Sequence, residues 1–413
     1  MILGLAVVVL LAEQMLERLN RRHLELHGLE IPEGFAGVVD AALLAKTREY
    51  TLAKMEFSTW VNLANAAGLL VFFFTPVWDL CNTLILSWKL PAWLQGSVYF
   101  VVLASAASLL SLPFSWYQTF KLEARFGFNT QTFGLWITDA LKALLLSAVL
   151  LGLLSAGGLW LVARFPQTWW LWVWSFFFGF SLFLMVISPY VLEPLFNKFK
   201  PVDRPELTKA ISALLARAGI RVSRVFESDA SRRSRHTNAY FSGIGPVKRI
   251  VLFDTLLEKN TVPELLAVLA HEAGHWKKKH LFKTLAWMES LALAGFYVAH
   301  QVLQAPWISR IFGLGHPSFL ADVIGLLFVA SLLGFFLEPA VNYLSRQHER
   351  EADGFAAELT GEPQALAAAL ISLVKDNLSN LHPHPWYAAF HFSHPPLVER
   401  VRRLQSLPIR RQR

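Results

Sequence analysis

Long apolar stretches constrain this chain more than any other feature, because an ordinary soluble fold cannot bury them. About 20 consecutive apolar residues are enough to cross a bilayer as a helix. Seven stretches qualify, near residues 1–17, 60–88, 97–119, 143–163, 170–196, 284–304 and 319–343. Only 16% of the residues are charged, whereas about a quarter are charged in a soluble domain. The sequence therefore predicts an all-α polytopic membrane protein with seven transmembrane helices.

The first of these stretches is the weakest. Its apolar run, "MILGLAVVVLLA", is short and is followed by Glu13 and Glu17. A cleaved signal peptide is the alternative, but it would need a positively charged start and a small-residue cleavage site. The sequence shows neither, so we interpret this stretch as an anchor helix.

The distribution of basic residues predicts how the chain is oriented in the membrane. If the spans alternate in direction, 35 of the 38 Lys and Arg residues fall on one side, in residues 18–59, 120–142, 197–283 and 344–413. Cytoplasmic segments are enriched in Lys and Arg, so this side is predicted to be cytoplasmic. The net charge of +8 then reflects membrane orientation, and we expect no nucleic-acid partner. The single cysteine, Cys81, lies in a span and excludes a disulfide framework.

The stretch "TVPELLAVLAHEAGHWKKKH" predicts a helix that carries a metal site. On a helix His271 and His275 point to the same side, as two imidazole ligands of one zinc ion must. Glu272 is placed to act on a water molecule at the metal without being a ligand itself. An ordinary helix with surface histidines is the alternative. Gly274 lowers helix propensity by about 1 kcal/mol, and close packing around a site explains why the helix tolerates it.

A catalytic zinc ion needs a third protein ligand, and no histidine follows at the spacing of the metzincin pattern. The segment "NYLSRQHEREAD" (342–353) supplies candidates. Glu349 can bind the metal, and Asp353, four residues on, can accept a hydrogen bond from a ligand histidine. His348 and Glu351 compete with Glu349 for the ligand role. A solvated, charged start of a helix is the remaining alternative.

Two of these segments resemble the type I CAAX prenyl protease family, which are membrane-embedded zinc metallopeptidases of the gluzincin type. They are "HEAGHWKKKH" (271–280) and "LSRQHEREAD" (344–353). Three more segments are similar to the family: "EARFGFNTQT" (123–132), "SRHTNAYFSG" (234–243) and "HPHPWYAAFHFSHPPLVER" (382–400). Ala273 and the "HPHP" stretch depart from the family pattern, but neither is at a ligand position. The resemblance covers most of the chain, to about Arg403.

The resemblance implies a fold and a ligand set. The seven helices would form a hollow barrel around a water-filled chamber. A cytoplasmic-side α+β zinc protease domain would cap it, split between residues 197–283 and 344–413. One zinc ion per chain would be bound by His271, His275 and Glu349, with Asp353 supporting a ligand histidine.

Other residues receive roles in substrate binding and catalysis. Residues 238–257 predict a β-hairpin whose edge strand could pair with an extended substrate, so Asn238 and the backbone of Ala239 are candidate substrate-binding groups; a plain structural hairpin is the alternative. By resemblance, His394 donates to the developing oxyanion and Arg400 helps to hold it. The remaining histidines near these motifs are interpreted as packing or surface residues: His236, His280, His382, His384 and His391.

Several ionisable residues lie in or near the predicted spans, namely Asp79, Glu193, Glu289, His300, Asp322 and Glu338. Charges at that depth usually face a cavity or a partner. We assign no catalytic role to them.

The resemblance implies a zinc metalloendopeptidase that cleaves near the C-terminus of CAAX-type, prenylated or other membrane-associated peptides. A general membrane-protein quality-control metalloprotease is one alternative. A transporter or channel that uses the intramembrane acids is another, of a different class. The expected location is the inner (plasma) membrane of a prokaryote, or the endoplasmic reticulum membrane of a eukaryote, with the active site on the cytoplasmic side.

Overall fold

The computed structural model describes residues 1–242, 247–305 and 307–408. The described part is mostly helical. Its helices are α1 (Ile2–His27), α2 (Ala41–Phe74), α3 (Val77–Leu86), α4 (Ala92–Tyr117), α5 (Phe133–Arg164), α6 (Trp169–Ile187), α7 (Glu193–Phe196), α8 (Pro205–Arg217), α9 (Asp254–Lys259), α10 (Val262–Lys277), α11 (His280–Val302), α12 (Trp307–Ile311), α13 (Phe319–Thr360), α14 (Pro363–Asn377), α15 (Pro385–His391) and α16 (Leu397–Ser406). Its strands are β1 (Phe199–Pro201), β2 (Arg221–Ser228), β3 (Ala239–Ser242) and β4 (Val247–Phe253). Short π-helical turns, Gln118–Glu123 and Ser188–Leu192, extend α4 and α6.

Five helical stretches are long and apolar enough to cross a membrane: Ala41–Phe74, Ala92–Glu123, Phe133–Arg164, Trp169–Phe196 and Phe319–Thr360. In the first four, at most 11% of the most apolar window is buried inside the protein. Their apolar side chains therefore face outward, as lipid-facing residues do. The predicted spans near 1–17 and 284–304 correspond to helices α1 and α11, which are not among the five. Five membrane-crossing stretches are thus confirmed by length and apolarity, and the predicted count of seven is not.

The predicted span 60–88 is wrong as a single element. Helix α2 ends at Phe74, and Thr75 adopts an extended conformation with φ −123° and ψ 173°. The cause is Pro76, whose ring disfavours the helical conformation of the residue before it. The chain then begins the short helix α3.

Much of the predicted loop 18–59 is also helical. Helix α1 continues to His27, and α2 already begins after Asp40, whose side chain accepts a hydrogen bond of 2.7 Å from the amide of Leu43. Hydropathy detects only the apolar part of a helix, whereas local hydrogen bonding carries the helix on through polar residues.

Helix α13 runs for 42 residues without a break. It starts at Ser318, whose hydroxyl accepts a hydrogen bond from the amide of Ala321, and it ends at Gly361, which has a φ of 74°. The predicted span 319–343 and the segment with the candidate third ligand therefore belong to one continuous helix.

Several of the ionisable residues near the spans have structural partners. Asp79 accepts a hydrogen bond from the amide of Gly315 at 3.0 Å, and the buried Asp322 accepts one from the amide of Ser309 at 2.6 Å. These two carboxylates hold the connection between α11 and α13. Of the other ionisable residues, Glu193 accepts a hydrogen bond from the Tyr240 hydroxyl, and Glu338 contacts His391. The ring of His300 packs edge-on against that of Trp169, and Glu289 is buried.

A four-stranded sheet has the strand order β1-β2-β4-β3, with β3 at one edge. The predicted hairpin is present as the antiparallel pair β3–β4, in which Ala239 is opposite Leu252. It ends at Phe253 rather than Leu257 because helix α9 begins at Asp254. Its turn, residues 243–246, lies outside the described residues. Strand β2 runs parallel to β4, a pairing that the sequence analysis did not predict.

Helix α10 lies at the centre of two apolar cores. On one side it packs on the sheet and on α8, through residues that include Leu265, Leu269, Leu215, Ile250 and Leu252. On the other side it packs on α13, α14 and α16, through residues that include Ala267, Ala270, Ala356, Leu370 and Val401. Residues that precede α11 and residues at the end of α13 and beyond thus pack in the same apolar cores. Helix α10, which carries the two histidines, is held from both sides.

Candidate metal centre

The sequence of α10 fixes where its two histidines point. Pro263 lies in the first turn, and the amide of Thr261 donates to the Glu264 carboxylate at 2.8 Å, which closes the start of the helix. From this start the regular helix places His271 and His275 on one side.

Gly274 determines how closely α10 approaches α13. A Cβ atom on Gly274 would lie 2.9 Å from the Cα atom and 3.0 Å from the carbonyl oxygen of Ala352. Only glycine allows this approach, and the predicted close packing around the site is confirmed. The approach brings Glu349, three residues before Ala352, opposite the two histidines.

His271, His275 and Glu349 form a compact group whose ligand atoms all lie within 4.8 Å of one another. The His275 Nε2 atom is 3.1 Å from one Glu349 oxygen, and the His271 Nε2 atom is 3.4 Å from the other. That second oxygen, Oε2, is buried, and the Arg400 Nη1 atom also lies 3.5 Å from it. A buried carboxylate that faces two imidazole nitrogens fits a divalent cation. Two histidines and one carboxylate are a ligand set of catalytic zinc.

A buried ion pair supports the group from behind. Asp353 Oδ1 lies 2.9 Å from His271 Nδ1, and the Arg400 guanidinium donates to both Asp353 oxygens at 2.7 and 2.9 Å. Burial disfavours protonated His271, but its hydrogen bonds to Asp353 and Glu349 outweigh this and raise its pKa to about 9. With Asp353 engaged at Nδ1, the Nε2 atom of His271 is directed at the centre of the group.

The environment of Glu272 differs from that of Glu349. Burial raises the pKa of Glu272 above its usual value, although the nearby His271 and His275 oppose the shift. Burial also acts on Glu349, but its hydrogen bonds with the two histidines outweigh it and lower its pKa. The pKa values of the two carboxylates are therefore shifted in opposite directions, as expected of a proton-transfer group beside a metal ligand.

His394 also reaches the group. Its Nε2 atom lies 3.3 Å from Glu349 Oε1, its side chain is 60% exposed, and its Nδ1 atom is 2.9 Å from the Ser393 hydroxyl. Arg400 was expected to have a supporting role, and it donates hydrogen bonds to Asp353, because α16 points the guanidinium into the buried interior.

His280, interpreted from the sequence as a packing or surface residue, supports the candidate ligand His275. This residue is buried, its Nδ1 atom lies 3.1 Å from His275 Nδ1, and its Nε2 atom lies 2.9 Å from Glu351. Two ring nitrogens form a hydrogen bond only if one of them carries the proton. Donation from Nε2 of His280 to Glu351 leaves its Nδ1 as the acceptor for His275, and His275 Nε2 is then free of a proton.

His348 and Glu351, the competing candidates for the third ligand, lie outside the ligand group. The ring of His348 stacks on His280 with centroids 4.1 Å apart, and Glu351 accepts from His280. Both residues thus surround His280, and the geometry favours Glu349 as the ligand.

The candidate substrate-binding residues lie at the sheet edge. The Asn238 side chain accepts a hydrogen bond of 2.8 Å from the Ala239 amide, and the Asn238 carbonyl accepts from Phe253. Ala239 itself is buried in the core that includes Leu269 and Ala273 of α10. Strand β3 therefore runs next to the histidine-bearing helix, with its Ala239 amide engaged locally.

The segment 123–132 ties the membrane helices to this domain. His236, interpreted from the sequence as a packing or surface residue, stacks on Phe128 with centroids 4.3 Å apart, and its Nε2 atom lies 3.5 Å from Glu123. The Glu123 carboxylate also accepts a hydrogen bond from the Tyr50 hydroxyl at 2.8 Å.

Three other histidines that the sequence analysis named have local contacts. His382 contacts the Glu30 carbonyl, His384 caps α15, and His391 lies between Glu338 and Glu13.

Comparison with known proteins assigns the family. Residues 20–198 match the CAAX prenyl protease N-terminal model, described as five membrane helices, and residues 201–407 match the model of peptidase family M48. The chain is 34% identical to CAAX prenyl protease 1 of Saccharomyces cerevisiae, with 92% of this chain and 90% of that protein covered. It is 32% identical to an uncharacterized metalloprotease of Bacillus subtilis, with 91% and 90% covered.

A solved structure agrees. The crystal structure of S. mikatae Ste24p matches with a TM-score of 0.88 at 31% sequence identity, and the match covers 98% of both chains. Membership of a metallopeptidase family implies a metal cofactor, in line with the three-residue group on α10 and α13. The chain therefore belongs to the CAAX prenyl protease 1 family of membrane metallopeptidases, within peptidase family M48.

Proposed function

We propose that this protein is a zinc endopeptidase that hydrolyses peptide bonds near the C-terminus of CAAX-type, prenylated substrates at the membrane. The observation that carries the proposal is the convergence of His271, His275 and Glu349, whose ligand atoms all lie within 4.8 Å of one another. The names of several relatives support the substrate class, since they are CAAX prenyl proteases.

We assign the catalytic roles as the family resemblance implies. A zinc ion bound by the three ligands would polarise the scissile carbonyl and acidify a water molecule beside it. Glu272, whose pKa is raised by burial, takes the proton from the attacking water and delivers it to the leaving amine. His394 donates a hydrogen bond to the oxyanion that develops on the carbonyl oxygen. Asp353 and Arg400 hold His271 in the required orientation.

Substrate binding is assigned to the sheet edge. Strand β3 lies at the edge of the sheet and beside α10, so an extended peptide could add to it as a further strand. Asn238 and Ala239 are the proposed contacts, and binding would require the Ala239 amide to exchange its local acceptor.

The membrane arrangement is part of the proposal. Helices α1 and α11 have 26 and 23 residues, and at 1.5 Å per residue each exceeds the roughly 30 Å of a bilayer core. We propose that both cross the membrane, giving seven spans around a hydrated chamber, with the zinc site on the cytoplasmic side. Lys278, Lys279 and Lys283, at the junction of α10 and α11, then mark that side. Two lysines of this run also have local partners: Lys277 donates to the carbonyl oxygen of Ala218, and Lys283 lies 3.5 Å from the Glu351 carboxylate.

The topology is tested with single cysteines in a Cys81→Ser background. Lys278→Cys should react with a membrane-impermeant maleimide only after the membrane is opened, whereas Lys89→Cys should react from outside. The reverse pattern would contradict the orientation.

The activity is tested with a farnesylated CAAX peptide and its unprenylated twin, each with and without a chelator. We expect cleavage of the prenylated peptide, its loss on chelation, and its restoration by zinc. Glu272→Gln should abolish cleavage while the protein keeps its metal and its fold. Glu258→Gln, the same change at an exposed position on α9, is the matched control and should cleave normally. Full activity of Glu272→Gln would refute the base assignment, and equal cleavage of the two peptides would indicate a general membrane protease.

A further inference from the structure

A pocket outside the metal centre is lined by cationic side chains. It has a volume of about 760 Å³ and lies where the membrane stretch Trp169–Phe196 meets the sheet. Lys198, Arg224 and Arg249 supply its charge, and none of its described lining residues is acidic. We refer to these three residues and the cavity between them as the cationic pocket.

Arg249 is fixed in the wall of this pocket. Its guanidinium lies between the rings of Phe199 and Phe226, each with its centroid 4.4 Å away, and one of its nitrogens donates to the Pro189 carbonyl at 2.7 Å. Its Nε–H has no hydrogen-bond partner in the described part of the chain. Because aromatic rings cover both faces of the guanidinium, only the N–H donors in its plane can bind a ligand. Phosphate oxygens match such planar donors well.

The acidic side chains around the pocket are bonded to groups other than its three cationic side chains. The Asp229 carboxylate accepts a hydrogen bond from the Lys198 amide at 2.7 Å and pairs with Arg232 at 3.0 Å. Glu193 accepts a hydrogen bond from the Tyr240 hydroxyl at 2.9 Å, and Glu227 pairs with Lys200 at 2.9 Å. Lys198 and Arg224 are exposed and form no ion pair among the described residues. In the described part of the chain, no ion pair neutralises the three cations of the pocket.

An apolar surface leads from this pocket into the membrane region. Five residues near the end of the α6 stretch are large, apolar or aromatic, and between 43% and 70% exposed: Phe183, Val186, Tyr190, Val191 and Leu195. Because the stretch is long and apolar enough to cross a bilayer, these side chains lie where acyl chains would pack.

We propose that the cationic pocket binds the phosphate of an anionic glycerophospholipid whose acyl chains lie along this apolar surface. Charge alone would attract any anion, but the continuity of the cations with an exposed membrane face selects a lipid. Anionic lipids are a regular component of the cytoplasmic leaflet. The site would anchor the sheet to the membrane surface.

The test uses the purified full-length protein in detergent and native mass spectrometry. Dioleoylphosphatidylglycerol and dioleoylphosphatidylcholine are titrated separately, and glycerol 3-phosphate serves as a soluble competitor. The test variant is Lys198→Gln with Arg224→Gln. The matched control is Lys278→Gln with Lys279→Gln, which removes the same charge from the basic run after α10.

We expect the anionic lipid to bind more tightly than the zwitterionic one, and the test variant to weaken its binding about thirtyfold, from roughly fivefold per cation. The control should bind as the wild type does, and glycerol 3-phosphate should not displace the lipid. Arg249→Lys keeps the charge but loses the stacked geometry, so it should also weaken binding. Equal binding of the two lipids, equal losses in both double variants, or displacement by glycerol 3-phosphate would each overturn the proposal. If the double variant does not fold, Lys198→Gln alone should still show about a fivefold loss.

Discussion

Replacement of His280 by alanine should weaken metal binding without touching a metal ligand. His280 accepts a hydrogen bond from the Nδ1–H group of His275 at 3.1 Å and donates one from its Nε2–H group to Glu351 at 2.9 Å. Removal of such an outer hydrogen bond typically lowers metal affinity 10- to 100-fold, which corresponds to roughly 1.4–2.7 kcal/mol. Metal affinity should fall because His275 would no longer be held with its Nε2 atom deprotonated and directed at the metal site.

The assay is zinc affinity of the purified protein, measured by competition with a chromophoric chelator and compared with the thermal stability of the metal-free protein. His280→Asn offers a carbonyl oxygen as the acceptor and should restore part of the affinity. Since His280 acts together with Glu351, combining His280→Ala with Glu351→Gln should cost less than the sum of the two single changes. His316→Ala removes an exposed histidine and serves as the control. Wild-type zinc affinity in a folded His280→Ala protein would refute this reasoning.

Two further substitutions test the packing around the site. Gly274→Ala should destabilise the protein by about 1–3 kcal/mol, because the new Cβ atom would press on the Ala352 backbone at 2.9 Å. Gly354→Ala, where nothing lies within 4 Å, should instead stabilise it by about 0.5–1 kcal/mol; equal melting temperatures for the two variants would contradict the packing argument. Arg400→Met should cost about 3–5 kcal/mol because it removes the cation of a buried ion pair and the donor to Asp353 Oδ2, whereas the exposed Arg402→Met should change stability by less than about 0.5 kcal/mol. Thermal unfolding in detergent measures both pairs, and a mild effect at Arg400 would show that its ion pair is dispensable.

The sequence predicted those parts of the site that depend on local geometry. His271 and His275 are four residues apart on one helix, so their convergence follows from helical periodicity alone. Glu349 is 74 residues further along the chain than His275, and spacing alone left it in competition with His348 and Glu351. The resemblance to a known family favoured Glu349, and the packing of α10 on α13 places it within the group.

What the sequence did not predict depends on contacts between distant segments. The role of His280 rests on Glu351, 71 residues away, and on a tautomer that only their distance reveals. The parallel pairing of β2 with β4 also joins residues that are distant in the chain. The break at Pro76, by contrast, was available from the sequence, because proline restricts the residue before it.

The continuity of α13 has a mechanical consequence. One rod of 42 residues, about 63 Å long at 1.5 Å per residue, begins with a stretch apolar enough to cross a membrane and carries the proposed metal ligand Glu349 nearer its other end. Pro339 lies ten residues before Glu349, about 15 Å along the axis, and lacks the N–H that would complete the ladder at that point. We expect a tilt of the membrane end, as when a bilayer thins or a micelle replaces it, to be passed along the helix toward Glu349 unless the helix bends at Pro339. Zinc affinity measured in bilayers of different thickness would test this expectation.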